Sequence, residues 1–378
     1  MDYNKKAIAL HKKNRGKIEI KSKVKLKTIE DLSTAYTPGV AAVCMEIAKD
    51  KKKSWELTNR KNQIAVVCDG TAVLGLGDIG PEAGMPVMEG KSIIFKEFAG
   101  VDAMPLCINT KDTEEIIRFC KLIEPSFGGI NLEDISAPRC FDILERLEKE
   151  LSIPVFHDDQ DGTAIVVLAA LINACRVTGK VMKDLQVVIN GGGAAGFAIA
   201  RLLLAQDVKN IIILDSKGII YSGREGMNEH KVNMAKKTNK QKLKGGLDIA
   251  MKNVDVFIGV SKGNLVNAEM IKSMNADPIV FAMANPVPEV MPDIAKKAGA
   301  AIVGTGRSDF ANQINNALVF PGIFRGLLDS GVKKVTLAMK ISAAIALAYT
   351  VKKPTSENIL PKVTDKRAVT AIAKAIKK

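Results

Sequence analysis

Aromatic side chains are scarce in this chain. One Trp, four Tyr and twelve Phe make up 4% of its 378 residues. Single-stranded nucleic acid is usually held by stacking bases on such rings, so that mode of binding is poorly provided for. Histidine is scarcer, with three residues. The six cysteines (Cys44, Cys68, Cys107, Cys120, Cys140 and Cys175) contain no CxxC pair and no other metal-ligand spacing. A zinc ribbon and a disulfide framework are thereby excluded, and small buried thiols in a reducing compartment are expected. The amino-terminal residues MDYNKKAIALHKKNRGK lack the apolar core of a secretory signal. The longest apolar run, 164–174, is too short to span a bilayer. No membrane partner and a cytoplasmic location are expected, and no internal repeat or low-complexity linker divides the chain.

What the chain does have is length, a normal apolar content and an excess of positive charge. It is 47% hydrophobic and 25% charged, the profile of a soluble globular protein, and 378 residues favour two domains over one core. The 55 basic and 41 acidic residues leave a net charge of +14. Nucleic acid, an anionic surface and small anionic substrates all suit that sign. Lysines are spread along most of the chain and are densest over 5–27, as expected of a solvated surface.

Residues 17–27, KIEIKSKVKLK, alternate with Ile18, Ile20, Val24 and Leu26 on one side, which predicts a half-exposed strand or hairpin arm. A helix near 40–50 and a buried strand at IAVVCDG (64–70) follow. From about residue 162 an apolar helix (162–176) leads to LQVVIN, GGGAAG, FAIARLLLAQ and NIIILD, and later to VDVFIGV, PIVFAMANP and AAIVGTG. Short β-branched strands alternating with helices predict a parallel sheet covered on both faces. The tail places Val369, Ile372, Ala373 and Ile376 on one helical face, docked back on the body.

GxGxxG occurs twice. The first, Gly75-Leu76-Gly77-Asp78-Ile79-Gly80, is followed by PEAGMP, whose prolines and glycine oppose prompt helix formation, so a structural loop is expected. The second, Gly191-Gly192-Gly193-Ala194-Ala195-Gly196, follows a strand and opens a helix, and Asp215 ends the next strand. That is the context of a dinucleotide site: Gly191, Gly193, Ala194, Ala195 and Gly196 bring backbone amides to a pyrophosphate at the helix end. Asp215 would accept from an adenosine ribose and repel a 2′-phosphate, which favours NAD over NADP. Lys217 nearby acts in the opposite sense.

VFHDDQDGTA (155–164) crowds Asp158, Asp159 and Asp161 before the apolar helix. One of them, Asp161 by position, is expected to cap that helix, but capping needs only one carboxylate. With Glu133-Asp134 of INLEDISAP, one aspartate of the 158–159 pair would complete an all-oxygen site suited to Mg²⁺ or Mn²⁺ rather than zinc.

Taken in order, AYTPGVA (35–41), DGTAVLGLGDIG (69–80), GMPVMEGK (84–91), FKEFAGVDA (95–103), NLEDISAP (131–138), VFHDDQDGTA (155–164), INGGGAAG (189–196), FAMANP (281–286) and GTGRSDFANQINNALVFPGIFRG (304–326) resemble the malic enzymes of the short prokaryotic type over nearly the whole chain. The resemblance implies an α/β fold: a Rossmann-like doubly wound parallel sheet domain at 161–378, with carboxy-terminal helices packing back, and an amino-terminal α/β catalytic domain at 1–160. It implies oxidative decarboxylation of (S)-malate to pyruvate and carbon dioxide with NAD or NADP and Mg²⁺ or Mn²⁺. By matching motifs, Glu133, Asp134 and Asp159 would bind the metal. Lys91 would be the base, oriented by Asp158, and Tyr36 the acid. Asn285 would contact substrate or nicotinamide, and Asn315 and Asn316 substrate. Malate is the implied partner, in a homodimer whose amino-terminal segments help form the interface.

Two departures stand out. Ala72 occupies the place of a substrate-binding arginine in the larger eukaryotic relatives, and Asp161 stands where short-type relatives commonly have histidine. A malolactic-type enzyme, which retains pyruvate and releases lactate, is the nearest rival reading. A basic nucleic-acid-binding protein is the rival from another class, but phosphate binding does not explain the ordered acid, lysine and tyrosine motifs.

Overall fold

The computed structural model describes residues 3–73 and 75–377. Two sheets organise it. The first contains β1 (Gln63–Cys68), β2 (Asp102–Cys107), β3 (Gly129–Glu133) and β4 (Val155–His157), in the order β2-β1-β3-β4 with every pair parallel. The second contains β5 (Gln186–Asn190), β6 (Asn210–Asp215), β7 (Gly218–Ile219), β8 (Val256–Gly259), β9 (Ile279–Ala282) and β10 (Ile302–Thr305), in the order β10-β9-β8-β5-β6-β7. All its pairs are parallel except the two-residue edge strand β7, which runs antiparallel to β6. The strand order reverses direction at β5, between β6 and β8, where the carboxyl ends open a crevice.

The helix Thr163–Thr178 carries the apolar run at the change of pattern, and Ala164 through Leu171 are all buried. With the preceding turn it makes a 21-residue run, longer than the apolar stretch seen in sequence, and most of it lies inside the fold. A phenylalanine cluster ties the first sheet to the carboxy-terminal helices. Phe95 lies 4.7 Å from Phe320 and 5.4 Å from Phe324, and Phe156 lies 6.0 Å from Phe324, between ring centroids. Such pairs contribute about 0.5–1.5 kcal/mol each beyond their buried area. The tail helix Lys366–Ile376 buries Val369, Ile372, Ala373 and Ile376, and Gly322 and Gly326 of the helix Phe320–Ser330 give it room: a Cβ at Gly326 would come within 2.6 Å of Ile376.

Three local expectations fail. Residues 17–27 form no strand: Ile20 is 89% exposed and Val24 60%, because a strand needs a neighbouring strand to pair with and this segment has none among the described residues. PEAGMP does open a helix, Pro81–Ala99, directly after the first glycine fingerprint. Pro81 takes the first helical position, where its missing N–H costs nothing, and the buried face Met88, Lys91, Ser92, Phe95 outweighs the single bond lost at Pro86. The thiols are not uniformly buried: all six are free, but Cys44 is exposed and Cys107 half-buried.

Candidate active site

Adjacent parallel strands deliver the acidic residues to one place. Leu132 of β3 pairs with His157 of β4, so the next residues of each strand, Glu133-Asp134 and Asp158-Asp159, emerge side by side at the carboxyl edge. Ligand oxygens of Glu133, Asp134 and Asp159 all lie within 4.8 Å of one another. Asp134 holds a left-handed backbone, φ 53°, which an aspartate tolerates better than most residues. Its N–H donates to Asp159 Oδ2 at 2.9 Å. Asn131, two residues back on the same face of β3, donates to Glu133 Oε2 at 2.9 Å.

Lys91 reaches this cluster from the buried face of the helix Pro81–Ala99. Its ammonium lies 3.0 Å from Glu133 Oε1, hydrogen-bonds Asp158 Oδ2, and sits 4.5 Å from the centroid of the Phe320 ring. Asp158 itself begins a π-helical turn, Asp158–Gly162, before the apolar helix. That helix has no side-chain cap. Asp161, expected to cap it, instead pairs with Lys340 at 2.7 Å.

Gly162 is required by this turn, since a Cβ there would overlap Asp158 Oδ1. Gly162→Ala should therefore push the Asp158 carboxylate off Lys91. An overpacking cost of about 1–3 kcal/mol is expected, with turnover falling more than substrate affinity; steady-state kinetics with an unchanged turnover number would contradict it.

Burial dominates the electrostatics. It pushes Asp134 up to about 9, helped by Asp159 and Glu133, and Glu133 up to about 7 against the pull of Lys91. Asp158 and Asp159 are also raised by burial. Burial opposes charge on Lys91 too, but Asp158, Glu133 and Asp159 outweigh it and hold the amine above its ordinary value. A lysine lowered toward neutrality requires that carboxylate field to be cancelled. Four carboxylates thus face one ammonium, and Asp134 Oδ2 and Asp158 Oδ1 are buried without a hydrogen-bond donor. Buried oxygens lacking donors, with like charges close enough to share one ion, fit a hard divalent cation.

The second glycine fingerprint is built as a close-approach loop. Gly191 has φ 140°, and a Cβ on it would meet Val260 O at 2.7 Å. A Cβ on Gly196 would overlap Gly191 O, so glycine lets the helix Ala194–Leu204 start hard against the loop. Gly193 caps that helix without a side-chain bond, which leaves its first N–H groups uncapped by any side chain, as a pyrophosphate site requires. Glu289, fully buried, accepts from Ser261 N–H at 3.1 Å and Ala284 N–H at 3.0 Å, tying together the loops after β8 and β9.

Asp215 ends β6 as expected, but its oxygens are engaged. It accepts from Lys217 N–H and Arg224 Nη1, each at 2.9 Å, from Lys231 Nζ at 2.6 Å, and from Arg224 Nη2. Burial opposes the charge, but Arg224 and Lys231 hold the carboxyl far below its usual range. Nothing local in the sequence marks Arg224, Lys231 or Lys340 as parts of these arrangements; each is found only when the chain folds, whereas Asn131 lies in the same motif and on the same strand as Glu133.

The remaining candidates are less closely gathered. Asn285 follows β9, donates to Met283 O at 3.3 Å, and lies against Gly75 of the first glycine loop. Asn316 packs beside Gly162, whereas Asn315 spends its side-chain oxygen on the Ala317 N–H at 2.9 Å. Tyr36 is 66% exposed and makes no side-chain hydrogen bond among the described residues.

Comparison with known proteins agrees with this geometry. The family model described as "Malic enzyme, NAD binding domain" matches residues 160–378, and "Malic enzyme, N-terminal domain" matches 13–116 and 109–148. A bifunctional malic/malolactic enzyme of Bacillus subtilis is 54% identical, over 100% of this chain and 93% of its own. An NAD-dependent malic enzyme of Geobacillus stearothermophilus is 53% identical, over 96% of this chain and 76% of its own. The crystal structure of an NAD-dependent malic enzyme from Thermotoga maritima superposes with a TM-score of 0.95 at 48% identity, covering 98% of each chain.

Proposed function

The chain belongs to the malic enzyme family, and from that premise we propose that it oxidatively decarboxylates (S)-malate to pyruvate and carbon dioxide while reducing NAD(P). The observation that carries this reading is the meeting of Glu133, Asp134 and Asp159 beside a buried Lys91. Held by those three carboxylates, Mg²⁺ or Mn²⁺ would act as a Lewis acid for the electrons left by C–C cleavage and cancel the field that keeps Lys91 protonated. Gly191, Gly193, Ala194, Ala195 and Gly196 would hold the dinucleotide, whose nicotinamide would supply the acceptor for the hydride of carbon 2.

The chain's own groups move the protons. Lys91, once neutral, removes the proton of the malate hydroxyl as the hydride leaves. Asp158 holds the amine in place and, as an anion, favours its protonated form afterwards. Loss of carbon dioxide leaves an electron pair on carbon 3, and Tyr36 is the proposed proton donor to it. Asn285, Asn315 and Asn316 are proposed to orient the substrate. Phe320 and the buried walls exclude water from the ammonium.

Stoichiometric NADH and pyruvate from malate test the reading. The Bacillus subtilis relative is named malic/malolactic, so lactate is the second product to measure. Lactate without net NADH would replace the first reading by the second.

NAD is the proposed preferred cofactor: the relatives from Geobacillus stearothermophilus and Thermotoga maritima, at 53% and 48% identity, are named NAD-dependent, whereas those named NADP-dependent are 44–47% identical. Asp215 is a weaker discriminator than its position suggests, because Arg224 and Lys231 neutralise it. Those cations would also meet a 2′-phosphate. Lys231→Ala should therefore lower kcat/KM for NADP by roughly tenfold, the worth of one charge-assisted hydrogen bond, and leave NAD nearly unaffected. Equal losses with both cofactors would refute that placement.

We further propose a homodimer. The helices Tyr3–Asn14, Ile29–Ala35 and Val40–Lys49 bury no residue, and Ile20, Ile29 and Tyr36 are exposed on the same arm. A second copy would cover this surface. Light scattering should give twice the chain mass, and removal of residues 1–35 should give the single-chain mass; a full-length monomer would exclude the proposal.

A further inference from the structure

Two thiols outside the proposed chemistry stand in one row with it. Cys68 and Cys107 are direct partners at the last register of β1 and β2. Neighbouring strands lie about 4.8 Å apart, and disulfides join Cα atoms roughly 4.4–6.8 Å apart. Partners in a parallel pair project from the same face, so the two thiols are neighbours across the strands. Cys107 is half-buried, with Met85 Sδ 3.8 Å from its sulfur. Cys68 is fully buried, and its sulfur accepts the Gly70 N–H at 3.1 Å. On its other side, Cys68 is the register partner of Glu133. The row at the carboxyl edge of the sheet therefore reads Cys107, Cys68, Glu133.

We propose that Cys68 and Cys107 form a reversible disulfide by exchange with a low-molecular-weight disulfide, and that the bond weakens divalent-cation binding at Glu133. The second half rests on the metal reading given above; the first does not. Cys107, the reachable thiol, attacks the small disulfide as its thiolate; one S–S bond breaks, one forms, and a small thiol leaves with the proton. Cys68 then attacks the Cys107 sulfur, steadied by the Gly70 N–H, and a second small thiol leaves with the second proton. Two protein thiols are oxidised and one small disulfide is reduced to two thiols. The bond must draw the Cβ atoms of a parallel pair closer, to roughly 3.5–4.5 Å. That strain makes it easily reduced, as suits a switch in a reducing compartment, and it is applied to the strand end that aims Glu133.

The test uses the full-length protein with oxidised glutathione, followed by alkylation, peptide mass mapping and Mn²⁺ titration. Expected, on alkylation after denaturation, are the loss of Cys68 and Cys107 as alkylatable thiols, a Cys68–Cys107 cross-link reversed by dithiothreitol, and Mn²⁺ affinity lowered roughly tenfold. Cys107→Ser should give no cross-link and an Mn²⁺ affinity indifferent to the oxidant. Cys68→Ser should leave glutathione attached to Cys107. A wild-type protein whose Cys68 remains alkylatable overturns the disulfide. A cross-link with unchanged Mn²⁺ affinity overturns the coupling. Absence of Mn²⁺ binding in the reduced protein would overturn the coupling and the metal reading together, while the cross-link is judged by mass alone.

Discussion

Lys91→Ala is expected to cut malate turnover by roughly 10²–10⁴-fold, the range for a lost general base. Stability should change as well, because Lys91 is the ammonium that faces Asp158 and Glu133 directly. Removing one side of a buried ion pair costs about 3–5 kcal/mol, so in chelator the variant should melt well below the wild type. With Mn²⁺ present much of that loss should return, since the cation compensates the same carboxylates. Lys91→Arg separates the two roles. A guanidinium keeps the charge but does not release its proton near neutral pH, so this variant should keep more of the stability and none of the rate. Thermal melts with and without Mn²⁺, alongside steady-state kinetics, read both effects. Near-normal turnover in Lys91→Ala would end the base assignment.

The contrast between what the sequence made legible and what it hid follows the range of the interactions. The strand LQVVIN, the loop at 191–196 and the helix after it are written locally, by β-branched residues and by glycines whose Cβ atoms would overlap backbone, and they stand where expected. The alternation at 17–27 is equally local, yet it forms no strand, because a strand is completed by a neighbour and none of the described residues supplies one. Pro81 and Pro86 misled in the other direction: helix propensity opposed the helix, and burial of Met88 and Phe95 overrode it. At the site, the convergence of Glu133, Asp134 and Asp159 depends on β3 lying beside β4, a fact of topology that spacing alone does not contain. The pairing of Asp215 with Arg224 and Lys231 and of Asp161 with Lys340 was hidden for the same reason, and it changes the chemistry expected of both aspartates.

Asp134→Asn should weaken Mn²⁺ binding and yet stabilise the metal-free protein, a combination that a purely structural role for Asp134 does not produce. Burial and the neighbouring Asp159 and Glu133 raise the Asp134 carboxyl from 3.8 to about 9. Between those values the folded chain holds a proton that the unfolded chain has released. By linkage, the metal-free fold therefore loses stability through this group as pH rises across that window. Asparagine cannot ionise, so in chelator the melting temperature of the variant should exceed that of the wild type by a margin that widens from pH 5 toward pH 9. Adding Mn²⁺ should reverse the order. The wild type gains RT ln(1 + [L]/Kd), about 2.7 kcal/mol at a hundredfold excess over Kd. The variant, having lost a ligand, gains much less. Losing an outer-shell partner already costs roughly 10–100-fold in metal affinity, and the loss of a direct carboxylate should exceed that. Asp159→Ala should weaken Mn²⁺ in the same way. Titration showing wild-type Mn²⁺ affinity in both variants would remove these carboxylates from the proposed metal site, and with them the electron sink that decarboxylation requires.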